Sequence, residues 1–284
     1  MKSPEGQREE LVGGVLTAVL ALPGMLRPGG GEAGEWIEGP TWKGVVACLV
    51  VIVLGGAAFG YSLGLWRAGL MGGYVAVKLP LLVLLTLVTN GLLNGLLAQL
   101  LGSGFGFRQT VQAQLMSFAL FALITGALSP VTAAMAWGAP GPGERGGQQA
   151  YQIILLTQTL VIAYAGVTSC RRFLPLLERA AETVSAGRRV FFAWLAGNLF
   201  VGAQLSWNLR PFFGQPGRPV EFLRADWNRS SFYEAIWRNV ASLAGEVDGG
   251  VWWALVGMCG LVVAGLFHAR VTTFPTTTQD NERP

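Results

Sequence analysis

Val45–Leu63, VVACLVVIVLGGAAFGYSL, runs nineteen residues without a charge. About twenty apolar residues at 1.5 Å rise span a hydrocarbon core of ~30 Å, so this stretch predicts a transmembrane helix. Working outward, five more stretches read the same way: 79–101, 111–137, 153–170, 190–207 and 251–268. The expected fold is an all-α integral membrane protein, a bundle of about six transmembrane helices. Residues 1–284 form a single transmembrane domain. An N-terminal interfacial helix and a long extracytoplasmic loop, 208–250, complete it.

Composition agrees. Asp, Glu, Lys and Arg make up 13% of the chain, where a soluble domain carries about a quarter. Mean hydropathy is +0.47. The longest polar interval is 208–250, too short for a separate soluble domain. A net charge of +4 is ordinary for a polytopic membrane protein and gives no argument for nucleic acid as a partner. Cys48, Cys170 and Cys259 share no metal-ligand spacing, and His268 is the only histidine. No metal or cofactor is expected.

Leu11–Leu26 is apolar but short, and Pro23 interrupts it. Acidic Glu5, Glu9 and Glu10 do not suit a signal peptide, so an interfacial or re-entrant helix is expected there. Gly56, Gly60 and Gly64 recur every four residues on one helix face. Small faces of this kind let backbones approach closely in lipid, and Gly91 with Gly95 repeats the pattern. The two readings are packing inside the bundle and a homodimer interface.

The second span opens with Lys78-Leu79-Pro80. Pro80 is expected near the helix N-terminus and Lys78 is expected to snorkel to the headgroups. Thr86, Asn90 and Asn94 then form a polar stripe at four-residue spacing. An amide facing lipid would be unsatisfied, so the stripe faces protein or a wet cavity. Interhelical hydrogen bonding is one reading, and a permeation path or substrate site is the other. Ser129-Pro130 is expected to kink or end the third span. No Asp or Glu occurs in any of the six stretches, which argues against a coupled transporter.

Arg171, Arg172, Arg179, Arg188 and Arg189, against only Glu178 and Glu182, mark a cytosolic loop by the positive-inside rule. With six spans, both termini are then cytoplasmic, in a multi-pass cell membrane protein of bacterial inner-membrane type. The long loop is unusually aromatic. Trp207, Arg210, Pro211, Phe212, Phe213, Trp227 and Trp237 are its candidate partner-binding residues, since so many rings would not stand in water. Ser231 and Glu234 form a capping box that opens an amphipathic helix to Leu243.

Gly60-Tyr61-x-x-Gly64, Lys78-Leu79-Pro80-Leu81-Leu82 leading to Thr86, and Leu128-Ser129-Pro130 together resemble the Yip1-type multi-span membrane proteins. Trp207-Asn208-Leu209-Arg210-Pro211-Phe212-Phe213-Gly214 resembles a signature of uncharacterised bacterial inner-membrane relatives of that group. The resemblance implies about five spans, membrane-organising or trafficking roles, and no catalytic residues.

Three functions follow as expectations. The first is a non-enzymatic protein that organises partners, which are the lipid bilayer and other membrane proteins or further copies of this chain. The alternative is a membrane permease subunit of a transporter such as an ABC-type exporter, whose ATPase would be a separate chain because no P-loop is present. A lipid enzyme using Arg210, Glu221, Arg224, Asp226 and Glu234 comes last, since these lack a catalytic arrangement.

Overall fold

The computed structural model describes residues 4–27, 31–67 and 69–234. The chain divides into two units, Met1–Arg229 and Ser230–Pro284, and the helices described next all belong to the first. They are α1 (Pro4–Ala21), a 3-10 turn (Leu22–Leu26), α2 (Gly31–Gly34), α3 (Trp42–Gly64), α4 (Gly69–Leu100), α5 (Phe107–Gly138), α6 (Gly147–Ala180) and α7 (Val184–Asn208). Helices α3 to α7 are each long and apolar enough to cross a membrane. No strand occurs among the described residues. This is the architecture of an integral membrane protein. The sixth expected span, 251–268, lies outside the described residues.

Local chemistry sets the helix starts. Thr41 Oγ1 accepts from Gly44 N at 3.1 Å and Thr183 Oγ1 from Ala186 N at 3.1 Å. Each satisfies a backbone donor that has no intrahelical partner. Gln109 Oε1 reaches back to Gly106 N at 2.8 Å to open α5. The connections are short, so consecutive helices are antiparallel neighbours.

The helices outrun the apolar stretches. Helix α4 starts at Gly69, ten residues before Leu79, and α6 continues past Cys170 to Ala180. At 1.5 Å per residue, α4 and α5 are about 48 Å long and α6 about 51 Å. Hydropathy marks only the part that needs hydrocarbon, whereas the intrahelical ladder continues wherever packing supports it. The expected cytosolic loop is therefore largely helix, with only 181–183 as a turn. Across it, Arg188 Nε donates to Glu178 Oε1 at 2.6 Å, and Arg189 Nη2 to Leu101 O at 3.2 Å at the end of α4.

Among the described residues, Pro80, Pro130 and Pro175 sit in the interior of long helices. Pro130 neither ends nor interrupts α5. Its missing N–H would orphan the carbonyl of Gly126, four residues earlier. Ser129 Oγ donates to that carbonyl at 2.7 Å, so the adjacent serine replaces the lost bond. Pro80 is eleven residues into α4 rather than at its start, with its ring against Gly56.

The core lies where α3 meets α4 and α5. Gly55 packs on Ala122 O and Gly126 of α5. Gly56, Gly60 and Gly64 lie along α4, inside the chain. A Cβ at Gly60 would stand 2.5 Å from Val75 O, and one at Gly64 2.6 Å from Met71 O. Only glycine permits that approach. Gly91 has nothing within 4 Å and does not repeat the device. Helix α1 packs beside α3 with Ala18 buried, while Val12, Leu16 and Leu20 face outward at four-residue spacing.

Candidate functional site

The polar stripe of α4 faces α7. Asn90 Nδ2 donates to Asn198 Oδ1 at 3.0 Å, and Asn94 Nδ2 donates to the same oxygen at 3.4 Å. Trp194 Nε1 donates to Asn94 O at 2.8 Å. Thr86 Oγ1 returns its proton to Leu82 O within its own helix, at 2.8 Å. Gly202 lies beside Thr86, and Gly197 beside Asn94 Oδ1. That oxygen is buried without a hydrogen-bond partner. Asn198 was not among the candidates, yet a signal existed: Trp194, Asn198 and Gly202 repeat every four residues, matching Asn94, Asn90 and Thr86 on an antiparallel partner.

A second polar group links α3, α5 and α6. Thr132 Oγ1 donates to Ser62 Oγ at 2.8 Å, and Gln158 Nε2 donates to Ser62 O at 3.1 Å. All three side chains are buried; their donors find acceptors within the bundle, while Gln158 Oε1 is left without a partner.

The more elaborate construction is at the end of the bundle where α4 begins. Residues 209–229 fold as a cap over the ends of α3 and α4. Phe212, Phe213 and Val220 pack on Phe59, Leu63, Met71 and Val75. This covers the first turns of α4, the part that extends beyond the apolar stretch. Lys78 is fully buried. Its Nζ donates to Pro211 O at 2.9 Å and lies 5.0 Å from the Phe222 ring centre and 5.9 Å from that of Phe212. Burial of an ammonium demands such partners. Lys78 is therefore turned onto the cap instead of snorkelling to headgroups.

Two more side chains fasten the cap. Arg67 Nη2 donates to Arg218 O at 3.1 Å, and the stem of Arg67 packs on Gly214. Arg210 stacks on the Trp207 ring at 4.1 Å, donates to Trp207 O at 2.9 Å, and pairs with Asp226 Oδ2 at 3.1 Å. Of the candidate loop residues, Pro211, Phe212 and Phe213 are half-buried anchors, and Arg210 with Trp207 forms a stacked corner. Trp227 and Leu223 are exposed, whereas Phe222 keeps one side of its ring toward Lys78 and Tyr74. Trp237 lies outside the described residues, as does most of the amphipathic helix expected from Ser231. At its start Ser231 Oγ accepts from Glu234 N at 3.0 Å.

No family model, curated protein or solved structure matches this chain. Its function has to be read from the geometry.

Behind the outer rim of the cap is a cavity of about 200 Å³. Its charged lining is Arg67, Arg218, Arg224, Glu221 and Asp226. Burial pushes the Arg224 guanidinium down from its ordinary value, and the nearby charges of Arg218 and Arg210 add to that. Arg67 Nε and Arg210 Nε are buried and have no acceptor. Among the described residues no cluster of His, Cys, Asp and Glu could hold a metal ion.

Proposed function

We propose that this chain is a non-enzymatic multi-span membrane protein that organises partners through the cap at 209–229. The observation that carries the reading is the anchoring of that segment. Lys78, Arg67 and three apolar side chains hold it to the helix ends, as a connecting loop alone would not require. Trp227 and Leu223 are thereby presented outward on a fixed base. Exposed aromatic and aliphatic groups with arginines beside them are the composition of recognition surfaces. The resemblance to Yip1-type proteins implies the same kind of role. The arginine-rich ends of α6 and α7 support a cytosolic position for 181–183, and hence an extracytoplasmic cap.

The permease alternative needs a passage. The Thr86–Asn90–Asn94 stripe is packed on Asn198 and Gly202 of α7, and this favours a structural role for it over a path.

The test is photocrosslinking in native membranes with a benzophenone amino acid in place of Trp227 and, as control, of Leu160, which faces outward from the middle of α6. A discrete protein adduct at position 227 that is absent at position 160 is expected. Lipid adducts alone at both positions would remove the partner-binding reading.

A further inference from the structure

Four arginines meet in the cap. Arg67, Arg218 and Arg224 line the cavity, and Arg210 closes one side of it through Asp226. Two carboxylates, Asp226 and Glu221, accompany them. Asp226 already holds Arg210 at 3.1 Å. Neither Arg218 nor Arg224 has an ion-pair partner among the described residues. Guanidinium groups do not deprotonate in proteins, so the four cations outnumber the two anions whatever the pH. Lys78 adds a further positive charge beneath, committed to Pro211 O.

This concentration has a cost that Asp226 and Glu221 offset only in part. Like charges at short range raise one another's energy, and the more so as water is excluded. Arg224 is half-buried, which strengthens its repulsion with Arg218 and Arg210. The Nε–H of Arg67 is buried with no acceptor, and an unmade bond from a charged donor is expensive. The segment bends back so that Arg218 and Arg224 line the same hollow, where an extended loop would have separated them. The hollow, about 200 Å³, admits an oxyanion the size of several waters at ~30 Å³ each.

We infer that the cap cavity is a binding site for a phosphate group, gripped by the guanidinium forks of Arg218 and Arg224 with Arg67 behind them. A phosphate group offers several acceptor oxygens and one negative charge as a lipid diester or up to two when free, and planar guanidinium groups bind it in bidentate fashion. The arginines alone exceed the two carboxylates by two, enough to neutralise the group in either form. Glu221 on the same wall disfavours a crowd of anions and leaves room for one. The phosphate is either the headgroup of an anionic phospholipid or a free phosphate. The inference rests on the reading of the cap as a recognition element and names what one part of it recognises.

Full-length protein in a neutral detergent would be titrated by calorimetry with inorganic phosphate and, separately, with dihexanoyl phosphatidylglycerol, at constant ionic strength. Saturable binding of one equivalent of either probe is expected. Binding of phosphate alone assigns a soluble ligand; binding of the lipid assigns a headgroup. Arg218→Gln with Arg224→Gln should weaken it at least tenfold. Arg218 is exposed and Arg224 half-exposed, so the double variant keeps the fold, which an unchanged thermal transition would verify. Arg229→Gln removes an exposed charge outside the cavity and should leave affinity within twofold. Absence of saturable binding for both probes would overturn the inference. So would an unchanged affinity in the double variant, or an equal loss in Arg229→Gln. Crosslinking at position 227 reads protein partners and is independent of these titrations, so either idea can fail alone.

Discussion

Helix α4 is held on two sides by opposite means. Toward α3 it meets glycines, and the contact is backbone on backbone: Gly60 against Val75 and Ala76, Gly64 against Met71 and Gly72. Toward α7 it presents amides, and the contact is one shared oxygen, Asn198 Oδ1, with Gly197 and Gly202 leaving space around it. Lipid supplies no hydrophobic force between helices, so association rests on close packing and on polar bonds. The two faces separate these terms within one helix. The glycine face has no slack, since any side chain would enter a neighbouring backbone. The amide face has slack and leaves Asn94 Oδ1 without a partner.

Substitution should expose that contrast, most strongly on the α3 side. Gly60→Leu must push α3 and α4 apart, and overpacking of this kind costs ~1–3 kcal/mol or more. Thermal unfolding in detergent should show a marked loss, while Gly91→Leu, with nothing near it, stays close to wild type. Equal stability of the two variants would abolish the distinction between the faces.

A smaller effect is expected from Asn198→Leu. It removes the acceptor for both Asn90 and Asn94, and interhelical bonds in membranes average ~0.6 kcal/mol with a maximum near 1.7. A modest fall in unfolding temperature with normal insertion is the anticipated result. Full stability with lost biological activity would instead make the stripe a functional path.

Least of all should change with Gly202→Ala, where the added Cβ meets Thr86 Oγ1 at 3.7 Å, an ordinary contact. A change within ~0.5 kcal/mol is expected. A loss as large as that of Gly60→Leu would show that the α7 face is as tight as the α3 face.

How far the sequence reveals this depends on what each segment needs. Val45–Leu63 was legible because an uncharged run has one destination. Gly69–Lys78 was not, because Gly69, Gly72, Gly73 and Lys78 resemble a connection. Their helicity comes from packing, with Gly72 on Tyr61 and Met71 and Val75 beneath the cap. Pro130 suggested a break, and the serine beside it prevents one. Thr86, Asn90 and Asn94 stood out as polar groups in an apolar run. Asn198 did not, in a helix carrying several polar residues. Phe212 and Phe213 were recognisable as rings that need cover, Trp227 stays exposed against that expectation, and the partner that fixes the segment, Lys78, is 133 residues away from Pro211, with no local pattern to connect the two.

That separation sets an order of events during synthesis. At ~5–20 residues per second, Pro211 emerges roughly 7–27 s after Lys78. For that time the beginning of α4 has no cover and the lysine has no carbonyl. The half-made protein must keep its ammonium among lipid headgroups and water, where a long aliphatic stem allows it to reach. The buried bond to Pro211 thus belongs to the finished chain. Covering the lysine is a late step of assembly, after α5, α6 and α7 have been made.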